Sequence, residues 1–584
     1  MIYTRDHKTG SLFDPWKFLG PKRRKLLEAS WAGLFRKEIL HELPVDQIAP
    51  SFHSGFGRPT KELYTALGAL VLQQMNDYSD HETVHQMAFN MQWHYALDIP
   101  GESDASKYIS PKTLWNFRQI VIEKELDTDL FNQITDKLAR VFSVDTDKQR
   151  IDSVHIKSNM RRLGRLGIFA KSIHCFLVNL KRHHPELFKS LPTELVEKYL
   201  KKEAVKCFSM VKPSESEKTL CSVSKDLFML VERFKDTEAV NSMRSFKILR
   251  RVLREHCDVE ESSKGAGPEV IVKPTKEVPS DSLQNPSDPD AGYSGHKGQG
   301  YQVQMMETYS RGEEVEDQQA KLNLITHVEV EPAHASDAHA LLPAIESTRQ
   351  RGLGPKEVLA DSLYGSDENG EAAQARGVEL ISPTLGTFKE DRIRLKEFEF
   401  SASGDVLKCP AGEIPLETKK NKLGKSAAFD ADICLKCTRA SQCPVRPGKK
   451  KYHYLRYTEK QLRIATRRAK EEAPEFKDRY RYRAGIEATM SLYDRLTGVK
   501  ALRVRGLKAV RFSAILKAIG VNIHRATAFR MAEIDNTTAS EGVSSVLGNL
   551  ISDVKERFLE IQSLLRWIFY GYGANFKFNP KMAA

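Results

Sequence analysis

The sequence predicts an α/β protein: a mixed sheet flanked by helices, preceded by an all-helical region and broken by two insertions. Three observations predict it. Before about residue 140, apolar residues recur at three- and four-residue spacing. After it, strand-like and helix-like runs alternate. Between about 388 and 452, four cysteines gather in a stretch with neither period.

The elements follow in order. GRPTKELYTALGALVLQQMNDYSDHETVHQMAFNMQWHYAL reads as short helices with polar breaks near Asn76–Asp80. Ser110 before Pro111 marks a further helix start, Pro fitting the first helical position. That helix carries Trp115, Arg118 and Lys124 and suits either a helix-turn-helix-like DNA-binding region or a plain bundle. His81 and His85 stand four apart, but without a third ligand they read as ordinary helix residues. KQRIDSVHIKS alternates and predicts a strand around Ile151–Ile156. A basic helical segment runs to about Lys264, then a Pro/Gly/Ser/Asp-rich stretch to about residue 300 predicts an extended loop. GYQVQMMETYS and LNLITHVEVEP predict a hairpin around the charged turn RGEEVEDQQ. A helix near Asp337–Arg351, the strand VLAD, a helix from about Asp367 to Arg376 and the strand VELISP complete the α/β pattern.

Ninety Lys+Arg against 77 Asp+Glu give a net charge of +13 over 584 residues. The excess is clustered. Gln461–Arg525 holds 16 cations and 6 anions, and Lys157–Lys264 holds 23 and 14. Such blocks suit a polyanion, although a solvated helix face is the plainer reading. No run of 18 apolar residues suggests a membrane span. The N-terminus lacks a secretory h-region, so a cytoplasmic protein is expected.

Three acids hold special positions. Asp152 lies inside the first strand, Asp361 ends VLAD, and Glu487 lies in DRYRYRAGIEATMSLYDRLTGVKALRVRG. At 100° per residue Tyr480, Arg483, Glu487 and Asp494 would share one helix face, apart from the stripe Ile486, Met490, Tyr493 and Leu496. Carboxylates brought together repel, and a divalent cation relieves them. Oxygen ligands suit Mg²⁺, and two such ions serve in-line phosphoryl displacement. Rivals are less persuasive: Asp145 and Asp147 sit at a helix end, and His334, Asp337 and His339 read as a strand-to-helix junction capped by Asp.

RIDSVHIKSNM, VLADSLYGSDEN and RYRAGIEATMSLYDRLTGVKALRVRG resemble the three acidic blocks of the DDE transposases of bacterial insertion sequences. The helical N-terminus and DPDAGYSGHKGQGYQVQ are similar to the same group, which carries a cysteine-bearing insertion before its last block. The resemblance runs from about 55 to 525 and is weak across 160–265. It implies a ribonuclease-H-like mixed sheet, with Asp152, Asp361 and Glu487 as catalytic ligands of Mg²⁺ or Mn²⁺. Tyr480, Arg483 and Glu487 match the signature Tyr-x2-Arg-x3-Glu-x6-Lys. Its last position holds Asp494 here, with Arg495 next. Tyr480, Arg483, Arg495, Lys500, Arg503 and Arg505 are the expected DNA contacts, with Lys508 extending the positive surface.

Cys409, Cys434, Cys437 and Cys443 have a knuckle-like Cys-x2-Cys at their centre, and four thiolates satisfy tetrahedral zinc. A small zinc-ribbon-like insertion holding a structural Zn²⁺ is expected, four reduced thiols being the plainer alternative. Cys175, Cys207, Cys221 and Cys257 read as ordinary thiols.

The expected layout is a helical DNA-binding domain at 1–140, a catalytic core at 141–387 with a helical insertion at about 160–265, the cysteine-bearing insertion at 388–452, the rest of the core at 453–530, and a helical tail at 531–584. The expected function is binding of terminal inverted repeats and metal-dependent strand cleavage and transfer. The partners are double-stranded DNA of the element ends and target, and, by the family mechanism, a second copy in a homodimer. No membrane is involved. The alternatives are a ribonuclease-H-like nuclease without strand transfer and a non-catalytic DNA-binding protein.

Overall fold

The structure is a computed structural model. It describes the chain except residues 8, 10–13, 202–210, 262–267, 313–320, 387–391, 422–423, 449–450, 541–559 and 561–584. Cys207, most of the RGEEVEDQQ turn and most of the expected C-terminal tail lie outside the described residues. Contacts divide the chain into Met1–Arg525 and Ala526–Ala584. Of the second unit, the described part is the end of the long helix Leu507–Ser540 and Glu560.

The central sheet has five main strands: β1 (Lys148–Lys157), β2 (Gly298–Thr308), β3 (Ile325–Pro332), β4 (Glu357–Leu359) and β5 (Glu379–Ile381). Their order is β3-β2-β1-β4-β5, with the short strand Gly292–Ser294 added on the outer end of β2. β2 pairs antiparallel with β1 and β3, while β4 runs parallel to β1 and β5. The hairpin-then-crossover pattern expected from the sequence is therefore present in this mixed α/β sheet, and the order is consistent with a ribonuclease-H-like fold.

Strand periodicity gives the two faces different neighbours. Ile151, Met306 and Val358 point to one face and pack with Leu341, Ala344 and Ile345 of the helix Leu341–Gln350, and with Ala373 of Asp367–Gln374. Arg150, Asp152, Glu307 and Leu359 alternate with them and face the other way. There Leu359 and Ile381 pack against Phe476, Tyr480 and Tyr482. The Asp152 face thus combines charged groups with buried Val154, Ile156, Leu359 and Ile381, and the two helices cover the other face.

In the N-terminal region, α1 (Leu63–Met75), α2 (Asp80–Phe89) and α3 (Pro111–Glu123) form as expected. The Ser110 hydroxyl caps α3 by accepting from the Thr113 amide at 3.1 Å. Arg118 turns inward to Asp80 and Gln73, and Lys124 donates to the Gln47 carbonyl at 2.8 Å. Trp115 stays exposed under the Lys112 ammonium.

The insertion after β1 is helical and has its own core. α4 (Arg165–His183) and α5 (Arg244–His256) bury Phe169, Phe176, Phe246, Leu249 and Val252 together. The stretch expected to be an irregular loop instead contains the strand Pro268–Val272, paired with Cys257–Glu261. The apolar alternation of EVIVK at its start drives that hairpin. The cysteine-bearing insertion contains a four-stranded antiparallel sheet, with Gly424–Asp430 paired to both Glu417–Asn421 and Tyr452–Tyr457.

Candidate active site

The site begins with strand register. Arg150 of β1 lies beside Leu359 of β4. Asp152 stands two residues further along β1, and Asp361 two residues beyond the end of β4, close enough for the two carboxylates to feel one another's charge. Beyond β4, the Ala360 amide still donates to the Ile381 carbonyl at 3.1 Å. Asp361 leads into a tight turn in which its carboxylate accepts from the Leu363 amide at 2.9 Å.

The third acid arrives on a helix that is not continuous. The expected single helical stretch is divided into α6 (Pro474–Tyr480), a 3₁₀ turn Arg481–Ala484 and α7 (Gly485–Thr497). The Arg150 guanidinium explains the break. It donates to the Tyr482 carbonyl at 2.7 Å and fills the space where a Cβ on residue 485 would stand. Only glycine admits so close an approach. At the far end, Gly498 adopts φ +63° and closes α7 as a left-handed cap. Ile486, Met490 and Tyr493 are buried, and Glu487 is exposed on another side of α7, as expected.

Arg483 joins two of the three acids. It pairs with Asp152 and, at 3.1 Å, with Glu487. Burial pushes the Asp152 carboxyl up to about 6; Arg483 opposes the rise, while Asp361 and Asp337 add to it. Burial also raises the Tyr480 phenol, which feels Arg483, Asp361 and Asp152. One positive side chain therefore stands among carboxylates that repel one another. The carboxylates are the hard oxygen donors that a divalent metal takes, and Arg483 occupies two of them here. Among the described residues, however, no three His, Cys, Asp or Glu groups are arranged to hold a metal ion.

A second network holds α7 against the sheet. Glu307 of β2 is fully buried. It takes Arg150 at 2.7 Å and Arg525 at 2.8 Å, and accepts from the Thr489 hydroxyl at 2.7 Å. Burial drives its carboxyl up, but the two arginines drive it further down, below its ordinary value. The sequence reading missed this group. Its signal is one Glu within the otherwise uncharged run YQVQMMET, since an unpaired buried carboxylate is not tolerated.

A family model described as a transposase DDE domain matches residues 408–527. Another, described as a transposase domain (DUF772), matches residues 33–120. The chain is a DDE-type insertion-sequence transposase. It is accordingly a metal-dependent DNA phosphoryl-transfer enzyme. No curated protein matches it. The DDE match contains Glu487 and the four clustered cysteines; Asp152 and Asp361 precede it.

The transposase disposes of its expected DNA contacts unevenly. Tyr480 is half-buried and stacks on Phe476 at 5.6 Å. Lys500 lies 3.7 Å from Asp494, Arg503 lies 3.0 Å from Asp77, and Lys508 lies 3.6 Å from Glu125. These partly exposed pairs are weak and open to exchange for phosphate. Arg495 and Arg505 are exposed with no carboxylate partner among the described residues. Asp494, standing where the family signature has Lys, accepts from the Lys500 amide at 3.1 Å. Asp337 does not cap its helix. Ser336 precedes the 3₁₀ turn Asp337–His339, and the Asp337 carboxylate accepts from Gln304 at 2.7 Å.

Cys409, Cys434, Cys437 and Cys443 line one cavity of about 640 Å³. Burial and its three cysteine neighbours push the Cys434 thiol up to about 11. Four thiols around one cavity fit a zinc donor set, which binds them as thiolates. No metal-holding arrangement of them is found among the described residues. Nor is any described helix long and apolar enough to cross a membrane.

Proposed function

We propose that the transposase binds the terminal inverted repeats of its own element, cuts a DNA strand there and joins the freed 3′-hydroxyl to target DNA. Asp152, Asp361 and Glu487 would hold Mg²⁺ or Mn²⁺, which supplies charge neutralisation and Lewis acidity for phosphoryl transfer. Arg483 would turn from the carboxylates to a DNA phosphate, with Tyr480, Arg495, Lys500, Arg503 and Arg505 as further contacts. The observation that carries this reading is that Asp152 feels the charge of Asp361, at the end of the neighbouring strand, and shares Arg483 with Glu487. In this reading residues 1–140 form a DNA-binding domain, the divided core spans 141–387 and 453–530, residues 388–452 form a zinc-ribbon-like insertion on the four cysteines, and residues 531–584 form a tail. The enzyme acts in the cytoplasm as a homodimer that brings two ends together.

The test is a plasmid carrying the element ends, incubated with purified protein and Mg²⁺. Cut and joined products support the proposal. Cutting without joining identifies a nuclease instead. Equal background from wild type and Asp361→Asn removes the catalytic assignment.

A further inference from the structure

We propose that the exposed face of α5, in the helical insertion, is a second DNA-binding surface that grips the phosphates of duplex DNA without reading its bases. The inference rests on the chain's being a DNA transposase. It concerns a surface away from the carboxylates and outside both matched regions.

The helix is two-sided. Phe246, Leu249 and Val252 enter the insertion's core, while Arg244, Lys247, Arg250 and Arg254 are exposed. At 100° per residue these four cations fall within roughly 120° of arc and span roughly 15 Å along the axis. Duplex DNA carries a charge about every 3.4 Å along each strand, so that length matches roughly four phosphates of one strand.

Their partners separate these cations from the rest of the protein's positive charge. Most of the arginines between Gln461 and Arg525 already have carboxylates: Arg463, Arg479, Arg483, Arg503, Arg511 and Arg525 all do. On α5, Arg251 alone is committed in this way, to Glu255 at 2.6 Å. None of the other four has a carboxylate partner among the described residues. Beside them lies a cavity of about 510 Å³, lined by Lys247, Arg250, Arg251 and Arg254 with apolar residues and Cys257, and by no acid. A solubilising face normally intersperses both signs; this one does not.

The surface is also fixed to the core. Arg251 donates to the carbonyls of Pro289 at 2.7 Å and Asp281 at 2.9 Å, and Glu255 accepts from the Leu283 amide at 2.8 Å. The same segment carries Asp288, which accepts from Ser158 at 2.7 Å and from Tyr301 at 2.6 Å. DNA held on α5 is therefore held at a set position relative to the ends of β1 and β2.

The test uses the full chain and a duplex unrelated to any element end. Binding is measured by fluorescence anisotropy across salt concentrations. Each phosphate contact contributes about 0.9 to the slope of log K against log salt. Replacing Arg244, Lys247, Arg250 and Arg254 with Gln is expected to flatten the slope by about 2 to 3.6. A matched variant, with Gln at Lys181, Arg182, Lys189 and Lys201 of the same insertion, is expected to change it by less than about 0.9. Arg250→Gln alone, with an expected loss of about 0.9, covers the case in which the fourfold variant fails to fold. An unchanged slope in the α5 variant, or equal losses in both fourfold variants, overturns the proposal. If that variant also cuts element ends normally, only the proposal fails; if wild type binds no duplex at all, the transposition reading fails with it.

Discussion

Replacing Glu307 with Gln tests whether the buried pair of arginines holds the Glu487 helix in place. Glu307 is fully buried, and Arg150 and Arg525 are only 12% and 17% exposed. Removing the single anion between two desolvated cations costs about 3–5 kcal/mol where one partner of a buried pair is deleted. Arg150 keeps the Tyr482 carbonyl and Arg525 keeps Thr489, so the lower end, about 3 kcal/mol, is expected. The unit Met1–Arg525 would unfold with an entropy of about 1.1 kcal/mol/K, so the melting temperature should fall by about 3 °C. Differential scanning fluorimetry at pH 7.5 reads this. The pH dependence has a definite sign. The folded Glu307 carboxyl titrates below its ordinary value, so its stabilisation is present above the unfolded pKa of about 4.3 and is lost as pH falls further. The gap between variant and wild type should therefore close below about pH 4. A variant that melts within 1 °C of wild type at pH 7.5 would show that the network does not clamp this helix.

Other outcomes follow from single groups. Asp152 titrates near 6 in the fold, so its ionised form opposes folding increasingly between about pH 4 and 6; Asp152→Asn should be inactive yet more stable at pH 7.5 by up to about 2–3 kcal/mol, the gain vanishing below about pH 4 in thermal melts. Gly485→Ala drives a methyl group into the Arg150 guanidinium and should cost about 1–3 kcal/mol in urea titration. If the clustered thiols hold zinc, elemental analysis should find about one ion per chain, released by Cys434→Ser together with collapse of the 388–452 insertion.

The sheet was legible because its signals are local. Alternation in QRIDSVHIK and the Gly/Pro boundaries around VLAD mark strands whatever packs on them. Asp361 stood out by position, since it ends the apolar run Val358-Leu359-Ala360, whereas Asp152 sits in an alternating strand where an acid is unremarkable in sequence. The break before Gly485 was not legible. RYRAGIEATM has helical composition throughout, and only the arrival of Arg150, more than 300 residues away in sequence, requires the turn. The Glu307 network was hidden for the same reason, its four members coming from β1, β2, α7 and the helix that follows. Charge density misled in part: the block after Gln461 looks free in sequence but is largely paired in space, whereas α5 of the weaker block is not.

The two central strands of the sheet are partners in space and strangers in time. About 140 residues separate Lys157 from Gly298, yet β1 and β2 pair along nearly their whole length. At about 5–20 residues per second on the ribosome, β1 waits roughly 7–28 seconds for its neighbour. During that interval the insertion, with a core of its own, can fold first and shorten the path between the two strands. A lesion that delays its collapse would keep an unpaired strand edge exposed for longer, and with it the risk of aggregation.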